Sequence, residues 1–285
     1  MHGINALAGL LLVLLTSGCS MGNRLAYDNL DTLFALELDD YVELDTAQEA
    51  RLDAVFQPLW HWHRSSELPA YAQSLRELAA VLDATNPEPL VVDAFSSRFE
   101  AHGERLQARL LSDMAPLLAS LDEAQIEALL DALREKDAER IRKQTRGSLA
   151  ARRARLGERI EGRLEDWLGS LTAAQQAIGA QRAATLEAEG QLSPETLQAR
   201  TEKDQASLAA VLATRQQVGF ELRLSEIVAP RSGAEAAERE ALRERSRRNL
   251  AALAATLQPA QRAHLAKRLR GFAEDCEVLA AKAKP

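Results

Sequence analysis

One five-residue pattern, Leu-x-x-Ala-Gln, occurs four times in this chain and constrains its fold more than any other feature. The copies read Leu44-Asp45-Thr46-Ala47-Gln48, Leu121-Asp122-Glu123-Ala124-Gln125, Leu171-Thr172-Ala173-Ala174-Gln175 and Leu257-Gln258-Pro259-Ala260-Gln261. A polar residue three positions before a glutamine has the spacing of a capping box, in which each of the two side chains binds the other residue's backbone N–H. Each copy also lies between two stretches with helical apolar spacing. The pattern therefore predicts four helix starts, each shortly after the end of another helix.

The rest of the chain shows helical patterns and none typical of strands. Its composition, with 46% hydrophobic and 27% charged residues over 285 positions, is that of a globular protein. Neither Asn-Gly nor Asp-Gly, the strongest short signals for a β-hairpin, occurs. We therefore expect an all-α fold, a bundle of about nine helices.

The spacing of the four copies predicts an internal duplication. The first two copies begin at Leu44 and Leu121, 77 residues apart, and the last two begin at Leu171 and Leu257, 86 residues apart. Two related halves, 19–170 and 171–285, would then form one continuous helical domain.

Proline and glycine predict where several helices begin and end. The long basic stretch in the middle of the chain contains no proline, and its helix should break near Gly147. Ser193 followed by Pro194 predicts a capped helix start, and this helix should continue to about Val228. Near the N-terminus, apolar residues at helical spacing predict one short helix from Arg24 to Leu38.

The densest aromatic stretch runs from Trp60 to Tyr71, and we call it the aromatic corner. His61 and His63 lie about 200° apart on a helix, so the two rings do not face one metal ion. Pro69 predicts a break or kink, with a preceding serine capping the helix that follows. We interpret the stretch as a packed corner, and a docking site for a partner protein is the alternative.

The first residues resemble the export signal of a bacterial lipoprotein. The apolar run from Ile4 to Leu15 is shorter than the roughly 20 residues that a membrane-spanning helix needs. It ends in Leu15-Thr16-Ser17-Gly18-Cys19, which is similar to a lipobox. The resemblance implies that residues 1–18 are a signal peptide, that Cys19 carries the lipid, and that the mature chain faces the periplasm. Ser20 favours the outer membrane under the sorting rule of enteric bacteria.

With Cys19 acylated, Cys276 is the only other cysteine in the chain. In an oxidising compartment a lone cysteine is either buried or able to pair between chains. Cys276 lies four residues after Phe272 and three before Leu279, on the apolar stripe of the last helix, so we expect it to be buried.

Charged residues are segregated along the chain. From Asp28 to Asp53 nine acidic residues stand against Arg51 alone, and we call this stretch the acidic run. The basic strip comprises Arg140, Arg142, Lys143, Arg146, Arg152, Arg153 and Arg155. Such runs are most often solvated helix faces. The alternatives for the basic strip are a surface that attracts acidic or partly unfolded proteins, and an internal contact with the acidic run.

Several motifs follow one another in a recognisable order. They are Leu15-Thr16-Ser17-Gly18-Cys19, Tyr27-Asp28-Asn29-Leu30-Asp31, Leu44-Asp45-x-x-Gln48, Trp62-His63-Arg64-x-x-Glu67-Leu68-Pro69-x-Tyr71 and Trp167-Leu168-Gly169-x-Leu171-Thr172-x-x-Gln175. This order resembles an uncharacterised bacterial lipoprotein family known as a domain of unknown function. The resemblance implies periplasmic exposure and no assigned activity.

The third copy of the repeated pattern carries a second resemblance. Leu171-Thr172-Ala173-Ala174-Gln175 is similar to the Leu-Thr-x-x-Gln motif of the helical periplasmic stress proteins of the Spy and CpxP type. Those proteins carry two motifs and act as dimers, so four motifs imply two Spy-like halves in one chain. The other copies have Asp45, Asp122 or Gln258 where that motif has threonine.

These observations leave three classes of function. The first is an outer-membrane lipoprotein that binds other proteins, as an ATP-independent chaperone or an envelope-stress factor. The second is a structural or assembly lipoprotein with one fixed envelope partner, bound through the aromatic corner or the basic strip. An enzyme is the third and least favoured, because no nucleophile, metal-binding or phosphate-binding motif occurs. Because those motifs are absent, we also expect no cofactor, metal ion or small-molecule substrate, and the net charge of −7 makes a nucleic-acid partner unexpected.

Overall fold

The computed structural model describes residues 20–229 and 232–283, and within them the chain forms helices and no strand. The predicted signal peptide and Cys19 lie outside these residues. The helices are α1 Ser20–Asp28, α2 Leu30–Asp39, α3 Thr46–Trp62, a π-helical segment His63–Glu67, α4 Leu68–Ala84, α5 Pro89–Ser120, α6 Glu123–Thr145, α7 Leu149–Leu168, α8 Ala173–Ala188, α9 Pro194–Leu212, α10 Phe220–Val228, α11 Gly233–Ala255 and α12 Pro259–Ala281. The all-α prediction is confirmed, with more helices than the nine expected. None of the described helices is long and apolar enough to cross a membrane.

All four repeated motifs begin helices, as predicted. The backbone N–H of each cap residue donates to Oε1 of the glutamine three positions later, at 2.9 Å for Asp45, 3.0 Å for Asp122, 2.9 Å for Thr172 and 3.0 Å for Gln258. In return, Asp45, Asp122 and Thr172 accept hydrogen bonds from the backbone N–H of the glutamine. The motif is therefore a capping box that starts α3, α6, α8 and α12.

The glutamines also bind one another across the fold. Nε2 of Gln48 donates to Oε1 of Gln125 at 2.9 Å, and Nε2 of Gln125 donates to Oε1 of Gln48 at 2.7 Å. Each Nε2 further donates to a carbonyl two residues before the partner's cap, that of Ser120 or of Glu43. Both donors and both acceptor positions of each amide are thus used, so each pair fastens two helix starts together without an unsatisfied polar atom.

Gln175 and Gln261 form a second pair with the same hydrogen bonds. The reciprocal amide distances are 2.7 and 2.8 Å, and the additional acceptors are the carbonyls of Thr256 and Ser170. The segments enclosed by the two pairs differ, however: α3 to α5 lie between the first two motifs, and α8 to α11 lie between the last two. The predicted duplication of the halves therefore rests on the motif pairs and stays a prediction.

Of the break or kink predicted from Pro69, the break does not occur in the aromatic corner. The chain passes from α3 through the π-helical segment into α4, and the N–H of Leu68 donates to the carbonyl of His63, five residues earlier. Pro69 occupies the first turn of α4, where its missing N–H is tolerated. The wider π turn absorbs the irregularity, so neither Ser65 nor Ser66 caps a new helix.

Two other predicted helices are interrupted. Asn29 separates α1 from α2, and its Nδ2 donates to the carbonyl of Leu25. The helix that begins at Pro194 ends at Leu212 instead of Val228. Arg215, just after it, is buried and donates to the carbonyl of Leu121, which holds the following turn against the second motif.

Other predicted boundaries are confirmed. The long basic stretch breaks at Gly147, whose φ of 84° lies in the left-handed region that favours glycine. Ser193 caps α9 by accepting a hydrogen bond from the N–H of Thr196 at 3.2 Å. Proline and glycine are reliable signals of helix boundaries here, because each restricts or frees its own backbone and needs no distant contact.

Two groups of buried apolar side chains organise the helices. The main core joins α1, α3, α4, α5 and α12, with Leu59, Leu68 and Ala266 fully enclosed, and α4 packs more extensively on α12 than on any other helix. The second core joins the end of α5 to α9 and α10 through Leu121, Leu212 and Leu224. Cys276 is fully buried in the main core, as predicted.

Candidate functional site

The aromatic corner is part of the main core. Trp60, His63, Glu67 and Tyr71 are all buried, and the ring of His63 packs against the rings of Tyr27 and Tyr71 with centroids 5.7 and 5.6 Å apart. The interpretation as a packed corner is therefore confirmed. These four side chains are closed to a partner protein, but other residues of the stretch, such as His61, are exposed, so a docking site at the corner stays a prediction.

Polar side chains of this corner and of two other helices form what we call the histidine cluster, made of Tyr27, His63, Glu67, His102 and Arg105, and all of them except the exposed Arg105 are buried. Oη of Tyr27 lies 2.7 Å from Nδ1 of His63, and Oε2 of Glu67 lies 3.1 Å from Nδ1 of His102. Arg105 donates to both oxygens of Glu67 at 2.9 and 3.0 Å. The π-helical segment contributes His63 and Glu67, α1 contributes Tyr27, and α5 contributes the other two residues.

Burial controls the charge states in the histidine cluster. Loss of solvent lowers the pKa of His63 to about 4 and also lowers the pKa of His102. Burial acts to raise the pKa of Glu67, but hydrogen bonds from Arg105 and His102 outweigh it, so this pKa lies below its ordinary value. At neutral pH the cluster therefore holds neutral histidines beside an ionised glutamate. Burial also raises the pKa of Cys276 to about 12, which leaves an unreactive thiol.

Of the residues in the histidine cluster, only His63 was singled out from the sequence.

Two nitrogen atoms of the cluster, Nε2 of His63 and Nε2 of His102, are buried and lack a partner among the described residues. The described residues contain no group of three or more histidine, cysteine, aspartate or glutamate side chains that could hold a metal ion. His102 lies three residues after Phe99 and four before Leu106, so its place on an inward stripe was the available signal.

A cavity of about 440 Å³ lies elsewhere, between α5, α10 and α11. Two glutamates and two arginines face it, Glu104, Glu240, Arg239 and Arg243, above apolar side chains such as Leu111. Arg243 pairs with both glutamates, and Arg239 donates to the carbonyl of Val228. The charges at the rim balance, so the cavity does not select for an anion or a cation.

The structure separates the basic strip into two groups. Arg140 pairs with Asp137 at 2.7 Å and donates to Thr201. Arg152 donates to the carbonyls of Thr145 and Gly147, and Arg155 donates to the carbonyl of Arg146. These three arginines therefore satisfy groups of the molecule itself, and the last two fix the connection between α6 and α7.

The other four residues, Arg142, Lys143, Arg146 and Arg153, are exposed and form what we call the basic turn. Lys143 pairs with Glu139 on its own helix at 2.7 Å, and Arg153 pairs with Glu187 on α8 at 3.2 Å. Arg142 and Arg146 form no ion pair among the described residues. The basic turn thus keeps at least two guanidinium groups available to an external anion.

The acidic run makes its ion pairs away from the basic strip. Asp28 binds Arg64 and Lys282, and Glu37 and Asp40 both bind Lys136. In the described residues the acidic run therefore does not neutralise the basic strip. The internal contact between the two, which was one alternative for the strip, is not formed there.

Comparison with curated proteins and with solved structures finds no match for this chain. One family model matches residues 40–234, which is more than half of the chain and includes three of the four repeated motifs, the aromatic corner and the basic strip. The chain therefore belongs to the DUF6279 family, a family of unknown function.

Proposed function

We propose that this chain is a periplasmic lipoprotein, anchored in the outer membrane through Cys19, that acts by binding another protein at the basic turn. The lipobox-like Leu15-Thr16-Ser17-Gly18-Cys19 supports the anchor. The observation that carries the binding function is the exposure of Arg142 and Arg146 without an ion-pair partner in the described residues. Because arginine forms paired hydrogen bonds with carboxylates, an acidic protein surface is the expected ligand.

The rigidity of the basic turn favours one fixed partner. Arg152 and Arg155 hold the connection by hydrogen bonds to three of its carbonyls, so the exposed arginines are presented in a set arrangement. Among the described residues, Leu149 is the one large apolar side chain exposed next to it. A surface with much charge and little apolar area suits an acidic folded partner better than an unfolded client.

An ATP-independent chaperone or envelope-stress factor is the second candidate. It is favoured by the similarity of the third motif to the Spy and CpxP type and by the identical hydrogen bonds of the two glutamine pairs. In this proposal the segments 44–121 and 171–257 correspond to the two subunits of a Spy-type dimer.

Charge reversal at the basic turn tests the binding function. Arg142→Glu combined with Arg146→Glu should weaken binding at least tenfold and leave the unfolding transition unchanged. The control is Arg51→Glu combined with Lys267→Glu, which changes the net charge equally at two exposed residues without ion pairs in the structure. Binding should also weaken with salt, because exposed charges are screened over about 8 Å at physiological ionic strength.

A photo-crosslinking residue at exposed Gln144 distinguishes the candidates in cells. A fixed partner gives one discrete adduct, which the Arg142→Glu, Arg146→Glu protein loses and the control protein keeps. A chaperone gives many adducts and slows the aggregation of an unfolded protein at low salt. An adduct pattern that is identical in the reversed and control proteins would refute binding at the basic turn.

A further inference from the structure

The first two helices expose leucine side chains on their outer face. Leu25 is 64% exposed, Leu36 is 61% exposed and Leu33 is 43% exposed. The same helices contribute Tyr27 and Leu30 to the main core, and Tyr27 lies about 200° around α1 from Leu25. These leucines are therefore not poorly packed core residues but the solvent side of two amphipathic helices.

This face lies beside the predicted lipid anchor. α1 begins at Ser20, the residue that follows Cys19, so Leu25 lies six positions after the anchor. Six positions along an α-helix extend about 9 Å, which is less than the thickness of the headgroup region and the outer part of the acyl chains together. A lipid on Cys19 would therefore bring Leu25, the first residue of the leucine face, to the surface of the bilayer.

α1 is held firmly enough to present this face in a fixed orientation. Arg24 pairs with Asp275 on α12 at 2.6 Å, and Asp28 pairs with Arg64 at 3.0 Å. Between them, Tyr27 binds His63 in the histidine cluster. The anchored helix is thus part of the body of the protein, and motion of the anchor is transmitted to the main core.

We propose that the leucine face of α1 and α2 inserts into the interfacial layer of the membrane that holds the lipid anchor. This inference rests on the proposed function, since it needs an acylated Cys19. Interfacial binding of this kind grows with the apolar area that is buried. Glu37 and Asp40 pair with Lys136, but Asp39 is exposed nearby and has no ion pair in the structure. The face should therefore prefer zwitterionic lipid to anionic lipid.

A fluorescent label on the acylated full chain tests the contact. Leu36→Cys supplies a reactive thiol, because Cys19 is acylated and Cys276 is buried. The matched control is Leu222→Cys on α10, where the leucine is 60% exposed. In zwitterionic vesicles with brominated acyl chains, we expect quenching at position 36 to exceed that at position 222 severalfold, and added anionic lipid should reduce the difference.

The possible failures are distinguishable. Equal quenching at the two positions in a protein that incorporates labelled palmitate would overturn the inference and leave the proposed anchor standing. A disulfide between two Leu36→Cys chains would place a second copy on this face and overturn it as well. Absence of palmitate from the wild-type chain would overturn the proposed anchor itself, and this inference with it.

Discussion

The main core and the contact between α6 and α9 use polar side chains in opposite ways. In the main core, His63, Glu67, His102 and Gln175 are enclosed, and their partners are other protein groups. Between α6 and α9, Asp137 binds Arg140 and Gln205 in a half-exposed network that water reaches. A buried polar group without its partner is costly, whereas water replaces a lost partner at the surface.

This difference shows that the number of polar contacts does not measure their contribution to stability. Removing one partner in the main core leaves an unsatisfied group in a place that water does not reach. The same change between α6 and α9 leaves a group that water reaches, so its cost is small. The following predictions test this contrast, in order of decreasing effect.

Acid should destabilise the protein through the main core. The pKa of His63 is about 4 in the folded protein and 6.5 in the unfolded chain, so between these values the unfolded chain binds a proton that the folded protein does not. The free energy of unfolding should therefore fall by about 1.4 kcal/mol for each pH unit below 6.5, and by about 3 kcal/mol at pH 4. His102 adds to this loss, because its pKa is lowered too.

Urea unfolding at pH 7, 5.5 and 4, followed by tryptophan fluorescence, measures this slope. His63→Phe keeps a ring in the site and removes the titrating group, so its stability should depend less on pH between 6.5 and 4. An unchanged slope in that variant would mean that His63 does not carry the acid sensitivity.

Gln175→Ala should have the next largest effect. It removes the reciprocal bonds to Gln261, so one donor and one acceptor position of that buried amide lose their partner, and it also removes the glutamine from the capping box at Thr172. Each unsatisfied buried group costs about 1–3 kcal/mol, so we expect a loss of about 2–3 kcal/mol in the free energy of unfolding. The matched control, Gln205→Ala, removes a 2.9 Å bond to Asp137 and should cost less than about 1 kcal/mol. Equal losses in the two variants would contradict the contrast.

Arg152→Ala should have the smallest effect of the three. It removes two hydrogen bonds to carbonyls at the α6–α7 connection, where water partly replaces them, and we expect a loss of about 1 kcal/mol. Arg146→Ala is the control and should leave stability unchanged, because that side chain forms no ion pair in the described residues. Thermal unfolding of both variants tests whether the basic strip divides into structural and available residues. A destabilised Arg146→Ala protein would argue against that division.

The sequence predicted the features that depend on residues close together in the chain, such as helix starts and ends. Capping boxes at Asp45, Asp122 and Thr172 form between residues three positions apart, and Gly147 ends a helix through its own backbone. The pairing of Gln48 with Gln125 was not predicted, because it needs a contact between residues 77 positions apart. Nothing in a capping box shows that the glutamine has two further donors directed at another helix start.

The candidate sites show the same limit. Pro69 predicted an irregularity, but a break and a π-helical segment both tolerate its missing N–H, and the π-helical segment forms where Glu67 binds His102 and Arg105 of α5. In the basic strip, the sequence pattern does not distinguish Arg146 from Arg152. The direction of each side chain depends on the turn around Gly147, which brings carbonyl groups within reach of Arg152.

The composition of the main core also determines when the protein completes its folding. It contains Tyr27 and Leu30 from the first described helices and Cys276 and Leu279 from the last. Because synthesis proceeds from the N-terminus, the second core has all its residues once Val228 has been made, whereas α4 still lacks α12. Contacts between such distant residues carry a large entropic cost of loop closure and form slowly. A chain that ends before Pro259 would leave the apolar face of α4 open to water, so we expect closure of the main core to be a late step of folding that depends on the last helix.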